Sequence, residues 1–166
     1  MAVTITRVTQ DGELHEIAQL AEKIWQECFP GIISEEQIGY MVDKFQSYEA
    51  MRAQVDTQNY TYFAVRDDSD LCGYIGAKPE EDERYFLSKL YLRSDKRGRG
   101  IASQMLETVF GEALSNGKKR IYLTVNKHNR HAIEVYKAKG FVVADTAVTD
   151  IGEGFVMDDF IMEYAV

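Results

Sequence analysis

Leu90-Tyr91-Leu92-Arg93-Ser94-Asp95-Lys96-Arg97-Gly98-Arg99-Gly100-Ile101-Ala102 is the stretch that decides the reading of this chain. Residues 85–93 are a β-rich run, and beyond them Ile101, Met105, Val109 and Ala113 form a helical stripe that Asn116-Gly117 stops. A strand therefore passes through a turn holding two glycines into a helix. Such a turn lets backbone approach a ligand closely, and the first helical N–H groups point outward at the positive end of the dipole. That is an anion site, best suited to phosphate. Arg93, Lys96, Arg97 and Arg99 add positive charge, opposed by Asp95. No Gly-Lys-Ser/Thr follows, which excludes a P-loop, and Ser103 stands where the dinucleotide pattern G-x-G-x-x-G requires its last glycine.

Outward from this segment the periodicities predict the remaining elements. Residues 2–8 alternate as a first strand. Leu14, Ile17, Ala18, Ala21, Ile24, Trp25 and Cys28 mark a helix ending before Pro30, and Ser34 with Gln37 forms a capping box for a second helix carrying Ile38, Met41, Val42 and Phe45. Residues 60–66 and 71–78 read as a hairpin around the polar turn 67–70. Later come a strand at 120–125, a helix at 129–139 stopped by Gly140, and closing strands at 141–148 and 155–164. The order β-α-α-β-β-β-α-β-α-β-β predicts one α/β (α+β) domain over residues 1–166, a mixed sheet flanked by helices.

The bulk properties narrow the function. At 166 residues and 45% hydrophobic the chain suits one core, and no stretch reaches the ~20 apolar residues of a membrane span. Residues 1–7 lack the layout of a signal peptide, so a cytoplasmic location is expected. Cys28 and Cys72 form no C-x-x-C, and His15, His128 and His131 are not at zinc-ligand spacing, so neither a metal nor a disulfide is expected. Residues 11–82 hold 5 Lys/Arg against 16 Asp/Glu, a net of −11, whereas residues 84–139 hold 13 against 4, a net of +9. This division suggests an anion for the later half and a cation for the earlier one. The acidic total of −8 speaks against a nucleic-acid partner.

Arg97, Gly100 and Ala102 fit Q/R-x-x-G-x-G/A, and the segment resembles the cofactor loop of the GNAT superfamily of N-acetyltransferases. Asn129, Ala132, Ile133, Tyr136, Gly140 and Phe141 are similar to that superfamily's later motif, N-x-x-A-x-x-x-Y-x-x-x-G-F. The resemblance runs over essentially the whole chain. It implies a mostly antiparallel twisted sheet of about seven strands with about four helices, and acetyl-CoA as the acyl donor. It implies that the backbone of Arg97, Gly98, Arg99, Gly100, Ile101 and Ala102 holds the pyrophosphate. Pantetheine would lie in a splay between the strands at 87–93 and 120–125, held by main-chain groups near Leu90, Tyr91 and Leu92. An amide donor there would stabilise the oxyanion formed when an amine attacks. Asn126 and Asn129 would sit beside the cofactor, Asn129 also capping the last helix.

The family role of Tyr136, on the same helix face as Asn129, is to protonate the departing thiolate, which a phenol of pKa ~10 does without a special shift. A lysine-like amine arrives charged and needs a base. Many relatives carry Glu on the fourth strand about four residues before the position of Leu92, and here that place is Ser88. Substitutes are Glu27, ending the first helix, and Asp158 or Asp159, of which strand alternation turns one inward. Cys28 as an acetylated nucleophile is disfavoured, because it continues an apolar stripe. Residues 32–37 and 154–159 resemble the bacterial polyamine acetyltransferase branch, which implies a small cationic amine such as spermidine or spermine as acceptor. A protein N-terminus or lysine side chain, and a non-catalytic coenzyme A-binding module, are the alternatives. Many members of the superfamily form homodimers.

Overall fold

Seven strands and five α-helices are formed by residues 2–166, the part of the chain that the computed structural model describes. In chain order they are β1 (Val3–Arg7), α1 (Asp11–Cys28), α2 (Glu35–Phe45), α3 (Tyr48–Thr57), β2 (Thr61–Asp67), β3 (Asp70–Pro79), β4 (Arg84–Leu92), α4 (Ile101–Ser115), β5 (Arg120–Asn126), α5 (Arg130–Ala138), β6 (Val142–Gly152) and β7 (Phe155–Ala165). A 3-10 turn, Ser94–Lys96, joins β4 to α4. The sheet order is β1-β2-β3-β4-β5-β7-β6. Its pairs are antiparallel except β4 with β5. None of the helices among these residues is long and apolar enough to cross a membrane.

Both faces of the sheet are covered, so its central strands are apolar on both sides. On one face Met105, Leu106 and Val109 of α4 and Ile133 of α5 pack on Ile75, Leu87, Ile121 and Leu123. On the other, Leu14, Ile17 and Ala21 of α1 and Met51 of α3 pack on Tyr62, Ala64 and Tyr74.

Three features differ from the sequence expectation. Helix α3 was not foreseen, and the helices number five rather than about four. Ser47 caps it through the Ala50 N–H, but its buried side is short and partly polar, Met51 and Gln54, so the apolar period is faint. Strand β6 runs to Gly152, beyond its predicted end. The capping box of α2 is half formed: Ser34 Oγ accepts from the Gln37 N–H at 3.1 Å, while Gln37 Nε2 donates to the Val156 carbonyl at 2.8 Å and ties α2 to the β6–β7 tip.

Candidate active site

Strands β4 and β5 pair from Arg84 with Arg120 to Phe86 with Tyr122, then separate although both continue. Between the separated ends opens a cavity of about 730 Å³, lined by β4 from Leu87 to Leu92 and β5 from Leu123 to Asn126. The backbone edges facing this gap have no strand partner, so a ligand of extended polar and apolar character can pair with them. One mouth lies at the turn into α4. There Gly98 and Gly100 take left-handed φ of 79° and 78°, and a Cβ on either would meet open space. Gly100 is also the N-cap of α4, and no side chain caps the helix.

Of the four basic residues of this segment, Arg97 lines the cavity. Arg93 is held by Asp95 at 2.7 Å and Asp70 at 3.0 Å. Lys96 and Arg99 reach Asp67 at 3.0 and 3.3 Å. They anchor the turn to the β2–β3 hairpin. An anion at this mouth would therefore meet backbone N–H groups and Arg97 rather than the summed charge of the segment. Replacing Gly100 with valine is expected to weaken coenzyme A binding about tenfold or more, because the branched side chain strains the left-handed backbone by ~1–3 kcal/mol and fills the open side. Calorimetric titration measures this; wild-type affinity would place the phosphate elsewhere.

The same cavity collects Leu90, Tyr91, Leu92, Ala102, Asn126, Asn129, Tyr136, Asp159 and Glu27, whereas Gly98, Arg99 and Gly100 lie outside its lining and Ile101 is buried in the core. Asn129 caps α5, its Oδ1 accepting the Ala132 N–H at 3.3 Å. One helical period places Tyr136 beside Ala132 and Ile133 on the sheet side, against the Phe141 ring at 5.5 Å. Among the described residues its hydroxyl has no hydrogen-bond partner, and burial pushes the phenol well above its ordinary pKa. It is a standing proton donor.

The two aspartates of β7 part as alternation requires. Asp158 pairs with Lys127 at 2.8 Å, and Asp159 turns inward, 5% exposed. Burial raises the Asp159 carboxyl to about 6, helped by the Asp158 charge and opposed by Lys127. Glu27 is exposed and accepts the Ser94 hydroxyl at 3.0 Å, toward the phosphate turn. Ser88 accepts from the Tyr60 hydroxyl at 2.9 Å. Cys28 Sγ lies 3.3 Å from Arg97, and burial pushes its thiol up, away from a thiolate.

The negative half of the sequence does not make the cavity negative. Six of its carboxylates are engaged away from the cavity, Asp11 and Asp56 with Arg52, Glu13 and Glu16 with Arg66, and the buried Asp67 and exposed Asp70 with the turn. Glu27 and Asp159 are the carboxylates that line the cavity among the described residues.

Lys89 was invisible to sequence reasoning, which reads a mid-strand lysine as solvated. It is 3% exposed, and its Nζ donates to Gln54 Oε1 at 2.9 Å, Tyr62 Oη at 2.6 Å and the Phe45 carbonyl, tying α2 and α3 to β4. No carboxylate pairs with it among the described residues, and burial lowers its pKa to about 7. Above that pH the unfolded chain holds a proton that the folded one releases, so stability should rise between pH 7 and 10, approaching ~1.4 kcal/mol per pH unit. Urea titrations of Lys89→Met should lack this rise; an unchanged profile would mean the amine is solvated.

Residues 17–141 match the model of the acetyltransferase (GNAT) family. An uncharacterized N-acetyltransferase of Mycobacterium bovis is 27% identical over 137 residues, covering 82% of this chain and 88% of its own. A spermine/spermidine N(1)-acetyltransferase of Bacillus subtilis is 33% identical over 82 residues, covering 45% of this chain and 54% of its own. Among solved structures, PaiA N-acetyltransferase of Thermoplasma acidophilum, in complex with coenzyme A, superposes with a TM-score of 0.83 over all of both chains at 24% identity.

Proposed function

As the chain belongs to the acetyltransferase (GNAT) family, we propose that it transfers an acetyl group from acetyl-CoA to the primary amine of a small cationic molecule, by direct attack in a ternary complex. The observation that carries this is the cavity in which the β4–β5 splay, the open glycine turn, Tyr136 and Asp159 meet. A long ligand with phosphates at one end fits it. Backbone of the 97–102 turn and Arg97 would hold the pyrophosphate, and the unpaired edges of β4 and β5, with Asn126 and Asn129, would hold the arm. Bound acetyl-CoA supplies an activated acyl group.

Residues of this chain manage the protons. Asp159, ionised above about pH 6, takes a proton from the arriving ammonium, directly or through one water. A C–N bond forms as the C–S bond breaks. Tyr136 then donates its hydroxyl proton to the departing sulfur; the newly bonded nitrogen gives up its second surplus proton to restore the tyrosine hydroxyl, and the proton held by Asp159 passes to solvent, so the ammonium loses two protons, the thiol keeps one and one is released. Main-chain N–H near Leu90 and Leu92 polarises the carbonyl. Glu27, bound to Ser94 near the turn, is the weaker base.

A polyamine is the acceptor that the name of the Bacillus subtilis relative suggests. The test is free-thiol release from acetyl-CoA with spermidine, spermine, small monoamines, amino acids and peptides. Release with a small amine is expected. Release with peptides alone would shift the acceptor to protein, and no release despite coenzyme A binding would leave a non-catalytic binding module.

A further inference from the structure

The acceptor side of the cavity, between the end of α1, helix α2 and β7, is walled by Trp25, Phe29, Ile33, Met41, Phe45 and Met157. Trp25 stacks on Phe29 at 4.1 Å, and Tyr91 lies 5.7 Å from Trp25 and 6.4 Å from Phe29, so three rings border the space. Asp159 is the buried carboxylate there. Glu27 is exposed and engaged with Ser94, and the amine of Lys89 sits in the same lining. Trp25, 3% exposed, has an Nε1–H without a hydrogen-bond partner. Burial dominates the Tyr74 phenol's raised pKa, and the Trp25 side chain beside the hydroxyl offsets a little of it.

Building on the acetyl transfer proposed above, we infer that the acceptor is a primary monoamine on an aralkyl body, rather than a polyamine. One ammonium meets one carboxylate, Asp159, and aromatic rings favour a flat apolar partner by offset or edge contacts. A second ammonium on the acceptor side would enter apolar walls beside Lys89, because the cavity's other carboxylate, Glu27, is exposed and turned toward Ser94, and a buried charge away from a partner costs several kcal/mol.

Trp25 is the one tryptophan of the chain, so its fluorescence reports binding without turnover. With purified full-length protein saturated with coenzyme A, 2-phenylethylamine and 4-methoxyphenethylamine should change Trp25 emission saturably, and spermidine should leave it unchanged. In thiol release, kcat/KM for 2-phenylethylamine should exceed that for spermidine at least tenfold. Ile33→Asp, at a half-buried wall position, should narrow this ratio tenfold by supplying a second carboxylate. Spermidine equal to or better than the aralkylamines, in emission or in kcat/KM, would overturn the inference and leave the transferase reading standing. No thiol release with any amine would overturn both.

Discussion

Tyr136→Phe is expected to lower kcat on the order of a hundredfold or more, the usual contribution of a positioned general acid, while coenzyme A affinity changes less than about threefold. The hydroxyl lines the cavity and has no hydrogen-bond partner among the described residues. Removing it therefore breaks no protein contact, and the edge-on packing against Phe141 survives in phenylalanine. Thermal stability should stay within ~0.5 kcal/mol of wild type, the range of neutral substitutions. Steady-state kinetics, titration of coenzyme A and a melting curve together separate this from a packing defect. Unchanged turnover would remove Tyr136 from the chemistry. Loss of turnover together with loss of stability would make it a core residue.

Asp159→Asn should lose activity in a pH-dependent way. If Asp159 takes the proton of an arriving ammonium, wild-type kcat/KM rises through pH ~6, where its carboxyl ionises, and then stays level until the amine itself deprotonates near ~10. The asparagine variant can use amine that is already neutral, so its kcat/KM should climb about tenfold per pH unit across the same interval. The deficit should be on the order of a hundredfold or more at pH 7 and should shrink by pH 9. A constant deficit at every pH would assign Asp159 to positioning, and wild-type activity would pass the base role to Glu27 or to water.

The same carboxylate weakens the fold. Its pKa in the folded chain lies above its ordinary 3.8, so the folded state holds the proton more tightly than the unfolded one. Its contribution to stability is thus lost as pH rises from about 4 to 6 and stays lost above. Asparagine carries no charge to bury, and at pH 7.5 the variant should be more stable by roughly 2–3 kcal/mol, from about two pKa units at 1.36 kcal/mol each. A gain in stability with a loss of rate is what a functional carboxylate held in an apolar cavity should show.

The sequence by itself determined whatever rests on neighbours along the chain. Glycines 98 and 100 need their positive φ for a local turn, Asn129 caps its helix through an N–H three residues on, and Tyr136 follows it on one face by helical period. Strand alternation likewise narrowed Asp158 and Asp159 to one inward carboxylate. The element order was legible for the same reason, except at α3, where a cap without a strong apolar stripe leaves little local signal.

Only the tertiary structure decided how charges were allotted. Lys96 and Arg99 lie near the turn in sequence yet close on Asp67, while Asp11, Asp56, Glu13 and Glu16 close on arginines of α3 and β2. It placed Lys89 beneath Gln54 and Tyr62 rather than in water, and it turned Asp159 toward the cavity by packing β7 against β5. Charge along a sequence adds up without regard to distance. Electrostatic energy depends on separation and burial, which strand pairing across the sheet sets.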